Sequence, residues 1–518
     1  MIRIPLFLAL AQMTLTITAA ANKAGTAKGI VYNDLNRNST HDENEPGLEG
    51  IAVSNGREIV KTDAQGQWQL PHDDDTIFFV IKPSGWMTPV NKHQLPQFFY
   101  IHKPAGSPKT FRYKGVDPTG PLPGSINFAL HEADEPAEFK AIFFGDPQPS
   151  SIEQVDYIKH DIIEELIGTD ARFGVTLGDI MFDKLELFPQ SNADIALIGI
   201  PWFNVIGNHD LNMDADRDSD SDETFHRFFG PSYYSFDYGP VHFIVLDDVD
   251  WAKRNGKRGY HGGIDEEQMA FVKNDLALVP EKKLVCLMMH IPLPKVGNRR
   301  ELYRLIEKRP HTLSISGHEH WHAHKYIGAE DDWRGEKPHH HIVNVTVSGT
   351  WWKGRKDEVG IPHTTMRDGA PNGYSIITFK DTEHVLEFKA ARQPATYQMS
   401  IFAPDQVKAA ETGKTPVYVN VFNGSINSTV KMKISRSDQW ITLKKVMEAD
   451  PFYSATRQRE ITGKLAGRSH LSGPIRSDHL WKGNLPGEIT PGSHLIEVNA
   501  TDAYGKTHRS RRIIRVIE

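Results

Sequence analysis

Five short polar motifs carry residue types that can hold a metal ion or a phosphate, and each closes an apolar run. Gly145-Asp146-Pro147-Gln148 ends the run that starts at Phe139, and Gly178-Asp179-Ile180-Met181-Phe182-Asp183 ends the run that starts at Arg172. Gly207-Asn208-His209-Asp210 follows Trp202 to Ile206, and His290 follows Lys283 to Met289. Gly317-His318-Glu319-His320 follows Leu313 to Ser316. Carboxylate, carboxamide and imidazole are nitrogen and oxygen donors suited to divalent ions, and the glycines let backbone approach a bound group closely. A single GD or GNH string means little. Five of them in order, each after a strand, point to one site.

That site needs elements to position it. Between Phe139 and about Lys389, apolar strands alternate with helical patterns such as Val155 to Ile167 and Glu266 to Leu278, which predicts an α/β layered domain. Open α/β sheets bind ligands at the carboxyl ends of their strands, where these motifs fall. On either side the pattern changes to short β-branched and aromatic runs punctuated by turns, among them Pro46-Gly47, Gln65-Gly66, Asn423-Gly424 and Tyr504-Gly505. The expected organisation is an all-β sandwich over residues 27–135, a layered α/β domain over 138–390 and a second β-sandwich over 395–518.

Composition narrows the function classes. Hydrophobic residues make up 39% and charged residues 24%, enough apolar material for a core. The net charge of −7 gives no support to general nucleic-acid binding. The single cysteine, Cys286, excludes an intramolecular disulfide and a cysteine-rich zinc site, and its apolar strand makes it a core residue. The 25 histidines are the more informative excess. Arg3, the apolar stretch Ile4 to Ile17 and the small residues Ala19 to Ala21 read as a signal peptide over residues 1–21. The expectation is a secreted or periplasmic protein without a membrane anchor or lipoprotein cysteine.

With these motifs in order, the chain resembles the calcineurin-like metallophosphoesterases, and more closely their exported subgroup with additional N-terminal and C-terminal β-domains. The resemblance implies two β-sheets flanked by helices in the central domain and a dinuclear centre of Mn, Fe or Zn. One ion would take Asp146, Gln148, Asp179 and His320. The other would take Asp179, Asn208, His290 and His318, with Asp179 bridging. Such ions, about 3.5–4 Å apart, polarise phosphoryl oxygens and hold the hydroxide that attacks a phosphate mono- or diester. His209 would be the general acid, with Asp210 orienting its ring. Gln148 departs from the histidine usual at its position. Phe182 stands where the purple acid phosphatases place tyrosine, so a tyrosinate-bound ferric ion is not expected. The competing function is a catalytically inactive cell-surface binding protein on the same scaffold; retention of both His209 and Asp210 argues against it.

Weaker signals remain. Asp34, Asn36, Asn38 and Glu45 match the spacing of a calcium loop except at Ser39, where glycine is usual, so calcium binding stands beside a simple polar turn. The acidic run Asp214 to Glu223 reads chiefly as a solvated loop, and Asp183 either as a supporting carboxylate or as an exposed loop residue. His322, His324, His339, His340, His341 and His363 read individually as packing or surface residues. Trp351 and Trp352 are candidate pocket walls.

Overall fold

The computed structural model describes residues 25–254, 257–435, 437–463 and 469–518. The expected signal peptide over 1–21 lies outside the described residues. Among the described residues no helix is long and apolar enough to cross a membrane.

Two sheets form the centre. The five-stranded sheet runs in the order Trp202–Val205, Phe173–Leu177, Glu138–Phe144, Gly373–Lys380 and Glu383–Ala390. The six-stranded sheet runs Tyr234–Tyr238, Val241–Val245, Leu284–Met288, Thr312–Ser316, His339–Val343 and Ala323–Ile327. Trp202–Val205, Phe173–Leu177 and Glu138–Phe144 run parallel in the first sheet, and Val241–Val245, Leu284–Met288, Thr312–Ser316 and His339–Val343 in the second, so within each set the carboxyl ends share one edge. Between the sheets lie Phe139, Phe173, Phe203, Phe236, Phe243 and Phe379, all buried. Phe203 stacks on Phe236 with ring centroids 4.1 Å apart. Each such ring contributes roughly 1.5–3 kcal/mol by leaving water. Cys286 is a fully buried part of this core.

Helices cover the sheets where the sequence placed them. Glu266–Leu276 starts at Asp265, whose side chain accepts the Gln268 N–H at 2.7 Å. The pattern expected as one helix over Val155 to Ile167 is an α-helix, Ile152–Ile158, continued by a π-helical turn, Lys159–Ile163, and a last α-turn, Glu164–Leu166.

Each flank is built from paired β-sheets. On the N-terminal side, one four-stranded sheet contains Gly25–Asn33 and Gln67–His72, and another contains Ala52–Ser54 and Thr76–Val80. Trp68 from one sheet meets Phe78 from the other at 5.5 Å. On the C-terminal side, a four-stranded sheet around Pro416–Val421 faces a five-stranded sheet around Gly492–Thr501, with Val419, Trp481, Met432 and Val498 in the shared core. This flank also carries a helix absent from the sequence reading, Pro451–Thr462, capped by Asp450.

Two expectations at the flanks change. The run Asp214 to Glu223 is not simply solvated. Glu223 is fully buried and pairs with Lys103 and Ser107 of the N-terminal flank, and Asp218 accepts the Trp251 N–H at 2.6 Å. In the loop after Asn33, Ser39 adopts φ 60°, the left-handed turn for which glycine is the usual choice. Asp34 and Glu45 are buried there, and the Asn36 and Asn38 amides both donate to Asp42, at 2.7 and 3.0 Å.

Candidate metal centre

The strand ends bring Asp146, Gln148, Asp179, Asn208, His290, His318 and His320 to one buried place. Asp179 is its hub. The Asp179 Oδ1 lies 3.2 Å from His290 Nε2, and Gln148 Nε2 donates to Asp179 Oδ2 in a short contact. Asn208 Oδ1 is 3.1 Å from the same His290 nitrogen. His320 Nε2 is 3.8 Å from Asp146 Oδ1. Ligand atoms of Asp179, His290 and His318 all lie within 4.8 Å of one another.

The backbone is bent to achieve this. Asp146, Gln148, Asp179, His318 and His320 all have φ between 42° and 75°. Such conformations cost non-glycine residues on the order of 1–3 kcal/mol and persist where the surroundings over-determine them. The flanking glycines make the approach possible: a Cβ on Gly207 would lie 2.0 Å from the Asp179 nitrogen, and one on Gly317 would lie 2.6 Å from Asp146 Oδ2. Substituting either displaces a motif.

Hydrogen bonding decides which nitrogens face the centre. His290 Nδ1–H donates to the Leu177 carbonyl at 2.8 Å, and His320 Nδ1–H donates to the Gly349 carbonyl at 2.5 Å. Each ring therefore turns its Nε2 inward. His320 Nε2 and Gln148 Oε1 are buried and have no hydrogen-bond partner. His318 Nδ1 faces His290 Nε2 at 3.2 Å. Buried acceptors without donors, grouped around carboxylates, are costly by themselves and are satisfied by a cation. The donor set fits divalent metal ions, and Gln148 fits as an oxygen ligand.

Electrostatics divide the rings: against the cost of burial, the Asp179 and Asp146 carboxylates raise His290 to about 10, so an ion held there would take the place of its Nε2 proton. Burial pushes His320 down to about 3, and burial with the neighbouring His290 takes His318 down to about 4, so both rings are neutral donors. Burial lifts the Asp146 carboxyl well above its usual range. For Asp179 burial is outweighed by His290 and His209, which hold it below the ordinary carboxylate range.

His209 sits beside this cluster, its backbone N–H bonded to Asp179 Oδ1 at 2.9 Å. Its ring stacks on Phe182 with centroids 4.3 Å apart, and its Nδ1 meets Asp183 Oδ1 at 2.6 Å. Burial opposes protonation of His209, but the Asp179 charge and the Asp183 bond raise it to about 9. The expected role of Asp210 is thereby corrected. Its carboxylate does not orient the His209 ring. It accepts the backbone N–H groups of Ile180, Met181 and Gly207, at 3.1, 3.0 and 2.9 Å, and so clips two motif loops together. The orienting carboxylate is Asp183.

Three further residues support the site. Trp351 stacks on His320 at 4.1 Å, and the Tyr260 ring edge approaches His318 at 6.0 Å. Asp248, fully buried, accepts the His290 and Ile291 N–H groups at 3.1 and 3.0 Å. Its signal was in the sequence: Val241 to Leu246 is another apolar run that ends in carboxylates. The histidines beyond His320 stay out of the centre; His339 and His341, for example, bond to Ser314 at 2.7 and 2.8 Å.

Comparison with known proteins decides the family. A model of the calcineurin-like phosphoesterases matches residues 139–322. Models of the N-terminal and C-terminal parts of calcineurin-like phosphoesterases match 35–116 and 341–508. The chain belongs to the calcineurin-like phosphoesterases. Membership implies divalent metal ions and a phosphate-ester substrate. A probable glycerophosphodiester phosphodiesterase GpdQ of Arcobacter nitrofigilis is 27% identical over 150 residues, 27% of this chain and 51% of that protein. The chain thus spans about half the length of this curated relative. Among solved structures, the purple acid phosphatase PPD1 from yellow lupin (Lupinus luteus) seeds is 15% identical with a TM-score of 0.36, covering 66% of each chain. PhoD is 11% identical with a TM-score of 0.36, covering 77% of this chain and 90% of its own.

Proposed function

We propose that the protein hydrolyses phosphate mono- or diesters at a dinuclear metal centre, with His209 donating the proton to the leaving oxygen. The observation that carries this reading is the pair of buried acceptors without donors, Gln148 Oε1 and His320 Nε2, grouped with Asp179 and with His290 and His318, whose facing nitrogens lie 3.2 Å apart. Asp146, Gln148, Asp179 and His320 would hold one ion, and Asp179, Asn208, His290 and His318 the other. Mixed nitrogen and oxygen donors suit Mn, Fe or Zn. Bound there, two divalent ions supply charge to the phosphoryl oxygens and lower the pKa of an attacking water.

The chain's own residues do the rest. Asp183 fixes the His209 ring and keeps a proton on Nδ1, which leaves Nε2–H as the donor to the departing oxygen. Phe182 excludes water from one face of that ring. Asp210 holds the Asp179 and Asn208 loops in register. The test is turnover of aryl phosphate mono- and diesters by protein loaded with Mn, Zn or Fe. His209→Asn should lower kcat about 10²–10⁴-fold with metal content retained. Fully loaded protein that turns over no ester class contradicts hydrolysis and leaves the binding-protein reading in its place.

Two further readings belong to this proposal. The loop Asp34 to Glu45 takes a calcium ion, supported by its ligand spacing and by the left-handed turn at Ser39. Added Ca²⁺ should raise Tm, and Asp34→Ala should abolish the rise. The protein is exported, supported by the apolar stretch Ile4 to Ile17 and by Ala19 to Ala21. The mature N-terminus should then begin at Asn22.

A further inference from the structure

Asp183, which holds the His209 ring, stands in a backbone conformation that a non-glycine residue does not favour, with φ 57°. Two hydrogen bonds keep it there. Its N–H donates to the His209 carbonyl at 3.3 Å, and its carbonyl accepts the Tyr113 hydroxyl at 2.8 Å. The first bond lies within the site. The second comes from the N-terminal flank. So held, Asp183 presents Oδ1 to His209 Nδ1 at 2.6 Å.

Tyr113 is fixed in its turn by the segment that follows His209. Its carbonyl accepts the Asn212 amide at 3.2 Å and the Thr224 hydroxyl at 3.3 Å. Asn212 is fully buried and also accepts the Thr224 N–H at 2.8 Å. Beside it the Arg112 N–H donates to Asp214 at 2.8 Å, and Lys103 and Ser107 of the same flank pair with the buried Glu223. Tyr113 therefore joins two loops, that of Asp183 by its hydroxyl and that following His209 by its carbonyl. The spacing of those loops sets the Asp183–His209 bond. Burial and the nearby Glu186 carboxylate raise the Tyr113 hydroxyl to about 12, so it stays protonated at neutral pH.

We propose that Tyr113 is a positioning residue: it holds Asp183, and through Asp183 the His209 ring, so that the N-terminal flank sets how well the leaving oxygen is protonated. The effect on turnover rests on the hydrolytic reading above; the placement of the ring does not.

The test uses Tyr113→Phe, which keeps the ring and removes the bond. A 4-nitrophenolate leaves readily without a proton, whereas methoxide needs one, so a misplaced acid slows the methyl ester selectively. Two readouts are taken on wild type, Tyr113→Phe, Asp183→Asn and the double variant. One is the ratio of kcat for methyl to 4-nitrophenyl phosphate esters, as mono- and diesters, with metal loaded. The other is the ¹³C-histidine NMR signal of His209 in Zn-loaded protein, assigned with His209→Asn. In Tyr113→Phe the ratio should fall about fivefold or more and the signal should move, with no further fall when the change is added to Asp183→Asn. An equal loss on both esters, an additive loss in the double variant, or an unmoved His209 signal overturns the positioning role. A His209 signal that Tyr113→Phe displaces, in protein that hydrolyses neither ester, overturns hydrolysis and upholds Tyr113 as the brace of that ring.

Discussion

Two groups of buried histidines lie in the central domain and do different things. At the centre, His290 and His320 each give one nitrogen to a backbone carbonyl and turn the other toward carboxylates. In the second group, the rings pair with each other. His384 Nε2–H donates to His340 Nδ1 at 3.0 Å, His340 Nε2–H donates to His324 Nδ1 at 2.9 Å, and His324 Nε2–H donates to Asn423 Oδ1 at 2.8 Å. The Asn423 amide donates to the Leu386 carbonyl at 2.9 Å, so its oxygen faces the rings and sets the direction of the whole chain of bonds. Burial holds His324 and His384 down at about 4, much as it holds His318 and His320. Burial is therefore common to both groups, and neutrality to His318, His320 and the ladder, whereas the Asp179 and Asp146 carboxylates overcome burial and raise His290 to about 10. What separates a metal centre from a structural ladder is the lone pair left without a donor beside an anionic oxygen.

Substitutions can break that distinction, the most damaging first. Asp179→Asn removes the anion shared by both proposed ion sites. Bound metal should fall below two per chain and kcat/KM by on the order of 10³ or more, measured by elemental analysis and ester turnover. Asp183→Asn leaves the ligands untouched but loosens His209; kcat should drop about 10–100-fold at full metal content. If Asp210→Asn instead gave that signature, the assignment of the orienting carboxylate would be reversed. His340→Leu cuts the ladder in two places and strands a ring on each side. Urea unfolding should show a loss of about 1–3 kcal/mol, with bound metal still at two per chain.

A smaller, pH-dependent effect is expected at a third buried histidine. His242 lies between Asp275 and Asp237, at 2.8 Å from each. Burial disfavours its charge, but the two carboxylates raise it from 6.5 to about 9. A raised folded-state value means that its stabilising contribution is complete below about pH 6.5 and is lost as pH climbs through about 9. The Tm advantage of wild type over His242→Gln should shrink across that window; a constant difference would show that the imidazole is not charged there.

The motifs that meet around Asp179 were legible in the sequence because each sits next to the strand that carries it, motif and element sharing one local stretch of chain; the assignment of residues to ions came from the family resemblance. His209 and its neighbours show where that ends. Asp210 is adjacent in sequence and looked like the partner, yet the strand-end turn points its carboxylate at backbone N–H groups, while Asp183, 26 residues away, reaches the ring. Likewise, Glu223 looked like one more charge in an acidic loop until Lys103, 120 residues earlier, met it in the interior. The helix Pro451–Thr462 had a local signal in Asp450-Pro451, a capping residue before a proline, set within a run of strands. The α/β layering followed from periodicity; strand order did not. Side-chain partnership across the fold did not.

The central claim is that the acceptors around Asp179 are completed by two cations. Calorimetric titration of metal-free protein with Mn²⁺ tests it most directly. Two ions should bind per chain in wild type, with the stoichiometry falling in both His320→Ala and His290→Ala. Wild-type protein that takes up no divalent ion, or binds it identically after both substitutions, would contradict the account.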